Sequence, residues 1–181
     1  PQWRRDLHVV AAAALPAQWR RWRSIDFGVR DPFCCLWAAR DPSSGLLHIY
    51  RCFYRTQYTT GQNGLEVKQL TGAEVVEATV ADSAGLDQRR TLAAECGIVT
   101  AASPKDIREG VNAVAELLEP DAEGMPGLVV HECCTDLIRE MEGYRWADKV
   151  REVPVDKDNH SLDALRYLCL WLKRVRGAGA S

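Results

Sequence analysis

With 181 residues, 46% of them hydrophobic and 27% charged, the chain has the size and balance of one globular domain around a single core, spanning 1–181, and not those of a disordered or fibrous protein. No apolar run reaches the length of a membrane span, and a net charge of -2 excludes the strongly basic field that announces a nucleic-acid binder by charge alone. Positive charge does concentrate locally, in "WRRDL" and "QWRRWR" near the start and "WLKRVRG" near the end. The seven cysteines include the adjacent pairs Cys34-Cys35 and Cys133-Cys134 and no C-x-x-C spacing, so they are expected as small buried hydrophobes in a reducing, cytosolic compartment. The start at Pro1, with neither an initiator Met nor the form of a signal peptide, predicts a piece of a longer polypeptide.

In chain order, "RRWRSIDFG" reads as a strand ending at Asp26-Phe27-Gly28, and "DPFCCLWAARD" as a second strand behind a Pro. The turn "DPSSG" leads into the alternating, aromatic "LLHIYRCFYR". Three strands joined this way make an antiparallel meander. Thr59 or Thr60 is a candidate cap for a helix over "GLEVKQL". From there strands and helices alternate: "VVEATVADSAG" a strand ending in Asp82, "LDQRRTLAAECG" a helix closed by Gly97, and "IVTAA" a strand. Next come "SPKDIREGVNAVAELLEP", a helix capped by Ser103 with Pro104 at its first position, and the strand "GLVVH". "CCTDLIREMEGYRW" is a helix with Leu137, Ile138 and Met141 on one face, and "SLDALRYLCLWLKRV" repeats Leu162, Leu165, Leu168, Leu172 and Val175 at helical intervals. A meander followed by β/α units implies an α/β protein with a mixed central sheet flanked by helices.

Two strands end in an acidic residue followed closely by a small one, Asp26 in "SIDFG" and Asp82 in "VADSAG". Singly each reads as a turn or cap, because Asp bonds nearby backbone N–H groups. If their strands are neighbours, two carboxylates lie side by side, and they repel unless a proton or cation separates them. The stretch "DKDNHSLDALRY" offers a third acid, Asp163, near the start of the last helix, where His160 would share its face and Asn159 or Ser161 could serve as cap. A helix dipole favours Asp there with no function at all.

The order of these elements resembles the ribonuclease H-like fold, and more narrowly the nuclease domain of the large terminase subunit of tailed bacteriophages. "SIDFGVRDP" resembles the family's first metal-binding strand, "VADSAG" its second acidic strand, and "LIREMEGYRW" followed by "DNHSLDALRY" its C-terminal signature. The resemblance implies that Asp26, Asp82 and Asp163 bind metal, with Asp26 bridging from the central strand. It matches His160 to a histidine before the third aspartate and Asp158 to a further acid for a second metal. Ser83 stands where the family frequently has Pro.

The activity so implied is endonucleolytic cleavage of concatemeric double-stranded viral DNA during packaging. Two divalent cations, Mg²⁺ or Mn²⁺, would be held by oxygen ligands. Lys105, Arg108 and Arg166 are candidate phosphate contacts, Arg166 being equally a partner for an acidic neighbour. No G-x-x-x-x-G-K-[ST] is present, so the ATPase that precedes the nuclease in the family is expected outside this chain. The implied partners are that ATPase domain, the portal protein and the small terminase subunit, in the host cytoplasm and on the procapsid, with no membrane. Rival readings are a Holliday-junction resolvase or transposase nuclease of the same fold, an actin-like nucleotide-binding domain, and a non-catalytic DNA- or portal-binding module.

Overall fold

The computed structural model describes residues 3–28, 32–143 and 159–178. Strands β1 (Val9–Val10) to β7 (Leu128–His131) form one mixed sheet in the order β1-β7-β4-β3-β2-β5-β6. The expected meander is β2 (Arg20–Asp26), β3 (Phe33–Arg40) and β4 (Leu47–Arg55), paired antiparallel with Asp26 opposite Cys34 and Cys34 opposite Tyr54. Every residue of β3 before Arg40 is buried, which is why "FCCLWAA" is apolar without alternation. β3 is therefore the central strand; β2, which carries Asp26, lies beside it, a correction to the expectation. β5 (Ala78–Ala81) runs parallel to β2, and β6 (Ala101–Ala102) parallel to β5.

Side chains alternate between two layers. Trp22, Cys34, Leu36 and Ile49 face α4 (Ile107–Leu118), α5 (Thr135–Gly143) and α6 (His160–Ala178). Ile25, Phe33, Cys35 and Trp37 face α2 (Thr60–Thr71) and α3 (Leu86–Cys96). Helix α6 crosses β2, β3 and β5. Its Leu165 and Leu168 are fully buried, each stabilising the fold by roughly 1.5–3 kcal/mol.

Several boundaries differ from expectation, each for a tertiary reason. Thr59 is the cap of α2, accepting from the Gln62 amide while the Gln62 side chain accepts from the Thr59 amide, so the helix starts well before "GLEVKQL". Its internal Gly64 is required because a Cβ there would lie 2.5 Å from Cys96 Sγ and Leu92 Cδ2 of α3. Helix α4 is capped by Asp106, whose side chain accepts from the Glu109 amide. The expected cap Ser103 is instead buried, its hydroxyl accepting from Ser83 N at 3.2 Å. β6 keeps only two of the five residues expected, while Ile98 enters the core. The short helix α1 (Arg5–His8) and β1, parallel to β7, have no periodic signal and follow from packing. Cys34, Cys35, Cys96, Cys134 and Cys169 are buried as expected, but Cys52 is only half-buried and Cys133 is exposed. Among the described residues no helix is long and apolar enough to cross a membrane.

Candidate active site

The β2–β5 register sets Trp22 beside Ala78 and Ser24 beside Val80. Continued by two residues, it brings Asp82 beside Asp26, and Asp82 N donates to Ile25 O at 3.3 Å. Both carboxylates lie on the layer covered by α6, since successive residues of a strand alternate faces. The first turn of α6 then presents His160 and Asp163 to the same end of the sheet. Three acids far apart in sequence are thus delivered by two adjacent strand ends and one helix start.

Asp26 is 7% exposed. His160 Nδ1 lies 3.0 Å from its Oδ2, and the Tyr167 hydroxyl donates to its Oδ1 at 3.3 Å. With Asp26 ionised, Nδ1 carries the proton and donates, because a carboxylate only accepts. Burial pushes the Asp26 carboxyl above its ordinary value; the His160 hydrogen bond pulls it back, and the charges of Asp163 and then Asp82 push it up again. The Tyr167 hydroxyl is raised by burial and then by Asp26, Asp163 and Asp82 in turn. Asp26 and Tyr167 thus sit in one negative field made by all three acids, and such a field is relieved by protons or by a cation.

Each carboxylate is meanwhile engaged by protein groups. Asp163 Oδ1 accepts from Arg166 at 2.7 Å, and Asp82 Oδ1 accepts from Ala84 N at 2.9 Å. Among the described residues, no group of three or more His, Cys, Asp or Glu side chains is gathered closely enough to hold a metal ion. The donor set is nonetheless all-oxygen and net negative, which suits a hard divalent cation better than zinc. Arg166 is accommodated by Gly110 of α4, where a Cβ would collide with the arginine stem.

The remaining expected residues fall elsewhere. Lys105 and Arg108 are exposed before α4 and in its first turn, and neither makes an ion pair with a described residue. Asp158 lies outside the described residues. The cap of α6 is neither the Asn159 nor the Ser161 side chain: Glu140 of α5 accepts from Ser161 N at 2.8 Å and Leu162 N at 3.1 Å, and from the Ser161 hydroxyl. Tyr167 and Glu140 are the two residues that sequence reasoning passed over. Tyr167 was open to discovery, being four residues from Asp163 on one helix face; Glu140, across a tertiary contact, carried no local signal.

No protein-family model matches the chain. It is 27% identical over 150 residues to the large terminase subunit of Escherichia phage T5, covering 79% of this chain and 33% of that protein. The chain therefore spans about a third of the length of this curated relative. The P22 large terminase nuclease domain superposes with a TM-score of 0.79 at 15% identity, over 95% of this chain and 91% of that one. The large terminase nuclease domain of bacteriophage SPP1, solved with bound Mn, gives 0.67 at 18% identity, over 89% and 93%. The expected likeness is met: the mixed seven-stranded sheet with flanking helices is the ribonuclease H-like fold of large terminase nuclease domains.

Proposed function

Proceeding from this shared fold, we propose that the chain is the nuclease part of a phage large terminase, an endonuclease that cuts concatemeric double-stranded DNA during packaging with the help of divalent cations. The observation that carries the reading is the buried Asp26 carboxylate at a strand end, held in the field of Asp82 and Asp163. The Mn bound to the SPP1 domain supports the same choice of ion class. Asp26, Asp82 and Asp163 would hold one or two Mg²⁺ or Mn²⁺ ions, with Asp158 as a further acid. Such ions supply charge compensation at the phosphate and a deprotonated water at neutral pH.

The protein's own groups then have separable roles. Asp26, which feels the charge of both other acids, would be the central ligand. His160 holds the Asp26 carboxylate in orientation through its Nδ1 proton. Arg166 pairs with Asp163, and the same guanidinium would contact a DNA phosphate by a charge-assisted bond of the same kind. Lys105 and Arg108 add sequence-independent phosphate contacts. The whole subunit would add an ATPase domain and dock, through the portal protein and beside the small subunit, on the procapsid in the host cytoplasm.

Plasmid nicking with Mn²⁺ or Mg²⁺ tests the reading. The chain should relax and linearise supercoiled duplex, EDTA should stop it, and Asp26→Ala and Asp163→Ala should each lower the rate at least about 100-fold with folding retained. Unchanged cutting in both variants would falsify the assignment. Preference for a four-way junction over linear duplex would move it to a resolvase.

A further inference from the structure

The first turn of α6 presents His160 and Asp163, and what fixes that turn is a buried carboxylate on another helix. Glu140 is 4% exposed and Ser161 fully buried. Glu140 Oε2 accepts from Ser161 N at 2.8 Å and Leu162 N at 3.1 Å, and also from the Ser161 hydroxyl, 21 residues away along the chain. The first amides of a helix have no intrahelical partner, and an anion at that end is favoured by the helix dipole. Bonds from a buried carboxylate to such donors are charge-assisted and geometrically strict. Leu165 and Leu168 seat the body of α6 by apolar contact, and the Glu140 bonds add directional anchors at its first turn. Tyr54 completes the frame, its ring meeting His160 edge to face at 6.4 Å. Burial and then the Glu140 carboxylate, as acceptor and as charge, push the Tyr54 hydroxyl up. Glu140 Oε1 makes no hydrogen bond among the described residues.

Resting on the function proposed above, we infer that Glu140 is a positioning residue for cation binding: by clamping Ser161 and Leu162 it sets the orientation from which His160 reaches Asp26 and Asp163 joins the acidic cluster. It touches neither DNA nor cation. Outer groups of this kind tune affinity by about 10- to 100-fold through the ligands they orient.

The test combines Mn²⁺ binding, followed by electron paramagnetic resonance of the free ion, with amide exchange at Ser161 and Leu162. Glu140→Gln keeps an acceptor oxygen and loses the charge, and Ser161→Ala removes only the hydroxyl arm. Glu140→Ala removes the whole clamp. Mn²⁺ affinity should fall about tenfold in Glu140→Gln and about 100-fold in Glu140→Ala, with faster exchange at the two amides and cooperative unfolding retained. Should Glu140→Ala fail to fold, Glu140→Gln and Ser161→Ala decide the matter. Affinity within twofold of wild type in both of these, or unchanged exchange at Ser161 and Leu162, overturns the role while leaving the nuclease reading intact. A wild-type chain that binds no Mn²⁺ overturns the nuclease reading and this role with it.

Discussion

At Asp26, burial and two neighbouring carboxylates raise the proton affinity of a side chain that the proposed chemistry needs ionised. A carboxyl whose folded pKa is raised keeps its proton more tightly when folded, so its contribution is most favourable below the ordinary value of 3.8 and is lost as pH rises through the folded value. At pH 7.5 the ionised Asp26 is therefore a burden on stability. Asp26→Asn should abolish nicking yet unfold about 2–4 °C higher, the gain of about 1 kcal/mol usual when a functional charge is relieved; a lower melting temperature contradicts this. The opposite sign applies to His48 and His131, whose Nδ1 and Nε2 are 3.2 Å apart. Burial lowers both, and His131 is lowered further by His48. Imidazoles lowered in the folded state give stability that is complete above the unfolded value of 6.5 and is lost as pH falls towards the folded values. Urea midpoints should fall from pH 7.5 to 5.5 in the wild type and fall less in His131→Phe; an equal fall excludes the pair as the cause. The placement of the acids was legible because Asp26 ends β2, Asp82 follows β5 directly and Asp163 lies in the first turn of a periodic helix. The Arg166 pair with Asp163 was legible too, as the expected acidic neighbour three residues away on one helix; the engagement of Asp26 with His160 and Tyr167 was not, since it joins β2 to α6 across the sheet.

At the level of elements, periodicity located the meander, α3, β7 and α6, because each buries a face whose pattern is local. It missed what depends on a partner. Ser103 resembles a cap but spends its hydroxyl on Ser83 N, so Asp106 starts α4. The glycines of α2 weaken the helical signal while serving the close approach of α3. At Gly64, an alanine gains about 1 kcal/mol of helix propensity but must displace Leu92 and Cys96, both 2.5 Å from the new Cβ. Overpacking of this kind costs about 1–3 kcal/mol. Gly64→Ala should therefore lower the urea-unfolding free energy by about 1 kcal/mol net, and a stabilised variant would show that α2 and α3 have room for a methyl group between them.

Across the whole molecule the charge balance limits how DNA is held. With a net charge of -2, the chain has only local basic clusters to offer, and binding by this chain alone should be weak and steeply salt-dependent. Lys105→Ala and Arg108→Ala should each weaken duplex binding uniformly across sequences and reduce the slope of log affinity against log salt by about one; sequence-selective losses would instead assign them to base contacts. The three acids are brought together only by the sheet order and by α6, and cation binding among them can be seen directly. Crystals of the chain soaked in Mn²⁺ should show anomalous density bounded by Asp26, Asp82 and Asp163, with Arg166 turned away from Asp163. Density confined to other residues, with the Asp163–Arg166 pair intact at saturating Mn²⁺, would contradict the account.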